Sequence, residues 1–269
     1  MRRRSIVLLS ILTILVITGM ILVNHLIDLR PAAIMLGISD SQYARGKVLL
    51  AEMEQAYGGK EVWLAKERGS YEQKAVWYGN YLVAGWDSLP QSFQMTSTLG
   101  TDNSEMTLLN GAHRGQCWGV ESGKSYAVGR NGEKEWLHNE KYLHKLVYKN
   151  YWFQFPFRIG EAPIIAYAGE AEIDGKTYDL LYATWEKEAP NSEYDQYVLY
   201  VNKESKRIEW LHFTVREKFK SISFTAQFTN FREVDGALWP HSQYVSLGPP
   251  HRPWKRLHEN HYQWIRFGE

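Results

Sequence analysis

The stretch EIDGKTYDLLYATWE, residues 172–186, constrains what this chain can fold into more than any other. Asp174-Gly175 signals a turn, and the run after it has the look of a strand, whose side chains alternate between two faces. Tyr178, Leu180, Tyr182 and Thr184 share one face; Asp179, Leu181, Ala183 and Trp185 share the other. A half-exposed strand is apolar on one side and polar on the other. This one is largely apolar on both, so each side needs a cover. Two later runs pose the same problem. Val198 and Tyr200 face away from Tyr197 and Leu199 in YDQYVLYV, and Trp210 faces away from Leu211 and Phe213 in IEWLHFTV. ISFTAQFTNF is one-sided, with Ile222, Phe224, Ala226 and Phe228 opposite Ser223, Thr225, Gln227 and Thr229.

Short aromatic or β-branched runs separated by Gly, Asn, Asp and Ser begin near Trp63 and predict an antiparallel meander. They include GSYEQKAVWYG, SFQMTSTL, SEMTLLNG, GQCWGVESG and KSYAVGRNG. Further strands are expected at 177–186, 194–201, 208–216 and 222–231, with NKESKR as a hairpin turn and HYQWIRF as a last strand. One helix precedes them and a second interrupts them. The first runs through SDSQYARGKVLLAEMEQAYGG, capped by Ser39 or Ser41 and stopped by Gly58-Gly59, with Tyr43, Leu50, Met53 and Tyr57 at helical spacing. The other covers about 139–152 and is expected to end before FQFPF, because Pro156 disfavours helical geometry in its predecessor. Two moderate helices cannot cover both faces of such a sheet. A strongly curved antiparallel sheet, or a half-open β-barrel with helices over one mouth, solves the problem by turning one face in on itself. Its interior is either filled by side chains or left as an apolar cavity.

The N-terminus adds a separate constraint. After Arg2, Arg3 and Arg4, no charge occurs from Ser5 to Val23, and the apolar run extends to Ile27. About 20 residues of helix span a bilayer core, and the arginines orient such a segment with its N-terminus inside. The expectation is a transmembrane anchor, or a signal segment, over residues 1–30, then one extracytoplasmic domain over 31–269. The membrane contact would run through residues 5–27, making a single-pass inner-membrane protein with a periplasmic or extracellular domain.

Composition narrows the chemistry. With 31 basic and 30 acidic residues the net charge is +1, so no global field recruits nucleic acid. The single cysteine, Cys117, excludes an intrachain disulfide and lies too far along to anchor a lipid at a mature N-terminus. No nucleophile elbow, P-loop, dinucleotide fingerprint or zinc motif is present. His258 and His261 point to opposite faces if they lie on a strand, and read as a solvated pair; His212 reads as a packed histidine. No catalytic residue, metal or cofactor is nominated, and the expectation is that the chain is not an enzyme.

The order of pieces resembles the LolA/LolB-like superfamily of bacterial envelope proteins. The stretches that carry it are a first helix ending in AYGG before Trp63 and YEQKAVWY, then LLNGAHRGQCWGVESGKSYAV, then FQFPFRI after the middle helix. GEAEIDGKTYDLLYATWE, YVLYVNKESKRIEWLHFTV and FTNFREVDGALWPHSQYV complete it, so that it spans residues 39–245. The resemblance implies a half-open antiparallel barrel with helices over the mouth, and a non-enzymatic binding protein for a lipid or lipoprotein acyl chain. The alternative is a regulatory or structural envelope module that binds another protein through a sheet edge or the basic loop HRPWKR. The expected cavity lining is Trp77, Trp118, Tyr178, Leu180, Tyr182 and Trp210; a shift of one residue in register would exchange one face for the other.

Overall fold

The computed structural model describes residues 26–78, 90–129, 131–138 and 140–268. Helix α1 (Asp40–Ala56) and a short helix α2 (Lys60–Leu64) precede six strands: β1 (Arg68–Trp77), β2 (Gln91–Thr98), β3 (Ser104–Leu108), β4 (Cys117–Glu121), β5 (Lys124–Val128) and β6 (Lys134–Leu137). Helix α3 (Glu140–Arg158) follows. Seven strands end the chain: β7 (Ile164–Ile173), β8 (Lys176–Thr184), β9 (Gln196–Asn202), β10 (Ile208–Val215), β11 (Phe219–Val234), β12 (Ala237–Leu247) and β13 (Lys255–Phe267).

All thirteen form one antiparallel sheet in the order β6-β5-β4-β3-β2-β1-β13-β12-β11-β10-β9-β8-β7. Each half is a simple meander, and the last strand returns to pair with the first, Gly69 opposite Phe267 and Trp77 opposite His258. The sheet is not closed: β6 and β7 are its two edges, and α3 is the segment that connects them. The helix therefore passes across the open face of the sheet. Phe153 and Phe155 project about 200° apart around a helix, yet both are fully buried. Phe153 meets Tyr71, Trp239 and Phe267 from β1, β12 and β13, while Phe155 meets Tyr197 on β9. A flat sheet could not touch both sides of one helix, so the curvature expected from the two-sided strands is present.

Local signals explain much of this. Ser39 and Gln42 form a capping box at the start of α1. Asp174-Gly175 and Asp235-Gly236 both have positive φ at each residue, the conformation of the two-residue hairpin turn, and join β7 to β8 and β11 to β12. Helix α1 lies so close to β7 that a Cβ on Gly46 would stand 2.7 Å from the Ala166 Cα.

Helix α3 departs from expectation by running through FQFPF to Arg158. Pro156 lies in the last turn, where its missing N–H frees one carbonyl, and full burial of Phe153, Phe155 and Phe157 outweighs a cost of about 3 kcal/mol. Strands β6, β7 and β12 were not anticipated. β7 is interrupted by a bulge at Gly169, and β12 contains Pro240, which pairs with Phe231 next to Asn230, a residue with positive φ (55°). His258 is buried rather than solvated.

The expected single-pass inner-membrane placement is corrected. Among the described residues no helix is long and apolar enough to cross a membrane. Residues 1–25, which include most of the expected span, lie outside the described residues. Ile27, the last residue of the apolar run, is not helical: its N–H donates to the Lys220 carbonyl, and its side chain packs on the outer face of the sheet.

Candidate functional site: the groove between α3 and the concave sheet

The concave face is filled by one large core to which α1, α2, α3 and strands from both meanders contribute. Trp63, Tyr57 and Trp239 enclose Phe157 at the end of α3. Polar contacts fasten the same helix to the β2–β3 turn. Gln154 Oε1 accepts from the Gly100 N–H (2.7 Å), and Asn150 Nδ2 and Gln154 Nε2 donate to the Thr101 carbonyl (2.8 and 3.0 Å). Arg158 adds an ion pair with Asp102 (2.8 Å).

On the side facing β9–β11 the packing changes to a chain of aromatic rings that begins at the surface. Half-exposed Tyr148 meets Trp152 (centroids 5.8 Å), which meets Phe213 (5.0 Å) and Phe155 (5.4 Å). Tyr197 lies between Phe155 and Trp185, and Phe213 continues to Phe224 and Phe219. Trp152, Trp185, Tyr197 and Phe219 are all partly exposed, whereas Phe155, Phe213 and Phe224 are buried. An aromatic groove thus leads from the rim into the core.

The other end of the groove is polar. Gln73, Lys149, Gln243, His258 and Asn260 are all nearly inaccessible and surround a void of about 10 Å³, together with Tyr148, Trp152, Val245 and Tyr262. That is room for one water molecule. Asn260 is the hub: its Oδ1 accepts from Gln73 Nε2 and from Lys149 Nζ (3.2 Å), and its Nδ2 donates to Gln243 Oε1 (2.7 Å). Burial pushes the Lys149 ammonium down to about 7, with Lys145 adding to the effect, and burial with Lys149 beside it holds His258 well below the usual imidazole range. Among the described residues no group of three or more His, Cys, Asp or Glu could hold a metal ion.

The six residues expected to line a cavity fall on two faces. Trp77 stacks on His258 beside the polar end, and Trp118 is buried in the same concave core. Tyr178, Leu180, Tyr182 and Trp210 come together on the opposite face with Val198 and Tyr200. There the chain covers itself: Ile27, Leu29, Ile34 and Ile38 pack on this cluster. Arg216 and Gln196, both buried, fasten that cover. Arg216 donates to the Ile27 and Lys220 carbonyls and to Gln196 Oε1, which also accepts from the Leu29 N–H (3.0 Å). So both faces of β8 are covered from within the chain, one by helices and core, the other by residues 27–38. Lys149, Trp152, Arg216 and Gln196 escaped the sequence reading. The lysine's place within the helical stripe Leu146, Lys149, Phe153 was the one available sign.

No protein-family model and no curated protein matches the sequence. Solved structures do. A LolA superfamily protein from Nitrosomonas europaea is 13% identical and superposes with a TM-score of 0.54 over 82% of this chain and 92% of that one. An outer membrane lipoprotein-sorting protein domain from Vibrio parahaemolyticus is 9% identical, with a TM-score of 0.52 over 84% and 93%. A DUF1329 family protein from Desulfovibrio piger is 13% identical, with a TM-score of 0.51 over 84% and 93%.

Proposed function

We propose that this chain, which has the fold of LolA superfamily proteins, is a non-enzymatic binding protein that holds the acyl chain of a lipid or lipoprotein in the groove between α3 and the concave sheet. The observation that carries this reading is the continuous aromatic path from partly exposed Tyr148, Trp185 and Phe219 to buried Phe155 and Phe213. Apolar pockets with a few convergent polar groups are the usual form of small-ligand sites. One structure of the same fold is a lipoprotein-sorting domain, which supports the ligand class. The void beside the groove is about 10 Å³, so an acyl chain enters only as α3 moves away from the sheet. The polar fastening of α3 to Gly100 and Thr101, which water can replace, suits such a motion. In this proposal Trp77 and Trp118 flank the site. Tyr178, Leu180, Tyr182 and Trp210 form a second apolar surface that is reached only when residues 27–38 lift.

The filled concave face favours one competing reading: a rigid module that binds another envelope protein at an edge strand, β6 or β7, or at the loop 248–256, where Trp254 is two-thirds exposed. Native mass spectrometry of the gently purified full chain separates the two. Extra mass that organic extraction removes and recovers as lipid supports acyl binding. A bare mass, unchanged when lipids are offered, overturns it in favour of the protein-binding module.

A further inference from the structure

We propose that the polar end of the groove seats the anionic head, a carboxylate or phosphate, of an amphiphile whose chain lies along the aromatic path. This rests on the acyl-binding reading above. Five polar side chains, Gln73, Lys149, Gln243, His258 and Asn260, converge on one void beside the aromatic and aliphatic core. None exceeds 6% exposure. Burying that much polarity is unfavourable compared with packing apolar groups of the same volume, so packing alone does not explain it.

The character of the cluster selects the ligand. Its side chains are an ammonium, an imidazole and three carboxamides. Two of the three amide oxygens already accept within the cluster, Asn260 Oδ1 from Gln73 and Lys149, and Gln243 Oε1 from Asn260. The balance offered to an entering group is therefore toward donors, with a cation among them. Lys149 Nζ also lies 5.6 Å from the Phe93 ring centroid, a contact a head group need not displace. The void has the size of a single oxygen-sized group, and Tyr148 and Trp152 line both it and the aromatic path, so the two parts are continuous. A head group held here would place its first methylenes against Trp152.

The test titrates the delipidated full chain, at about pH 6.5, with dodecanoate, dodecyl phosphate, uncharged dodecanol and inorganic phosphate, read by calorimetry. A charge-assisted hydrogen bond at a buried site predicts that the two anionic amphiphiles bind about tenfold or more tighter than dodecanol. Lys149→Met should abolish that difference while dodecanol binding persists, and Lys149→Gln serves as the second variant if the first does not fold. Dodecanol binding as well as dodecanoate, or a preference that survives in a folded Lys149 variant, overturns the head-group site but leaves the acyl-binding reading intact. Inorganic phosphate binding as tightly as dodecyl phosphate makes this a free-anion site and overturns the proposal. Failure of all three amphiphiles overturns the acyl-binding reading itself.

Discussion

Trp77 and His258 stack with ring centroids 4.1 Å apart and 28° between their planes, directly opposite each other in the β1–β13 pair that joins the two meanders. The stack buries an imidazole at the seam of the sheet, and it makes stability depend on pH. His258 is held well below its ordinary value by burial, and burial pushes His212 down to about 4, with His251 adding; His241 shifts in the same direction. For a base whose folded pKa lies below its unfolded value of about 6.5, the stability is present above 6.5 and lost as pH falls toward the folded value. Between pH 7 and pH 5 the loss should be about 2 kcal/mol for His212, and His258 adds to it in the same direction. Thermal melts at the two pH values measure it. His258→Gln should shrink the difference, and an unchanged difference would remove His258 from this account.

Gly46 should not tolerate a side chain. Alanine favours an isolated helix over glycine by up to about 1 kcal/mol, but here its Cβ would meet the backbone of Ala166 and Tyr167 at 2.7 Å. Moving α1 away from β7 opens the packing around Leu49 and Met53, so Gly46→Ala is expected to destabilise by about 1–3 kcal/mol. Urea denaturation decides it; a stabilised variant would show that α1 shifts without loss.

The cover over the outer face should loosen when Arg216 is removed. Arg216→Met leaves the Ile27 and Lys220 carbonyls without that donor and takes the guanidinium from Gln196. The Ile27 and Leu29 amides, which donate to Lys220 O and Gln196 Oε1, should then exchange with solvent roughly tenfold faster or more, about 1.4 kcal/mol of local opening. The amides of Leu199 and Leu211 should change little. Uniform acceleration across the sheet would mean that Arg216 supports the whole domain instead.

Two aromatic residues on α3, adjacent in sequence, should behave differently. Phe153 is buried against Tyr71, Trp239 and Phe267, so Phe153→Ala is expected to cost about 3–5 kcal/mol of stability. Trp152 is partly exposed on the groove side, and Trp152→Ala should lower retained lipid while costing less stability. Native mass of the two variants, beside their denaturation midpoints, separates them; a folded Trp152→Ala chain that retains lipid fully would place the ligand elsewhere.

What the sequence by itself determined was local. Ser39 or Ser41 and Gly58-Gly59 bounded α1, Asp174-Gly175 signalled a turn, NKESKR a hairpin, and the two-sided runs around Leu181, Leu199 and Leu211 demanded a sheet covered on both faces. These features arise among residues a few positions apart, where turn chemistry and side-chain alternation act directly. The tertiary structure decided the rest. β1 and β13 pair across nearly the whole chain, and no local preference encodes that partner. Pro156 would end α3 in isolation, but the burial of Phe153, Phe155 and Phe157 carries the helix through it. Alternation along β8 sorted Tyr178, Leu180 and Tyr182 from Leu181 and Ala183, yet both sets are apolar, and apolarity carries no direction. Only the path of α3 on one side and of residues 27–38 on the other assigns the two faces, because each is defined by what the rest of the chain places against it.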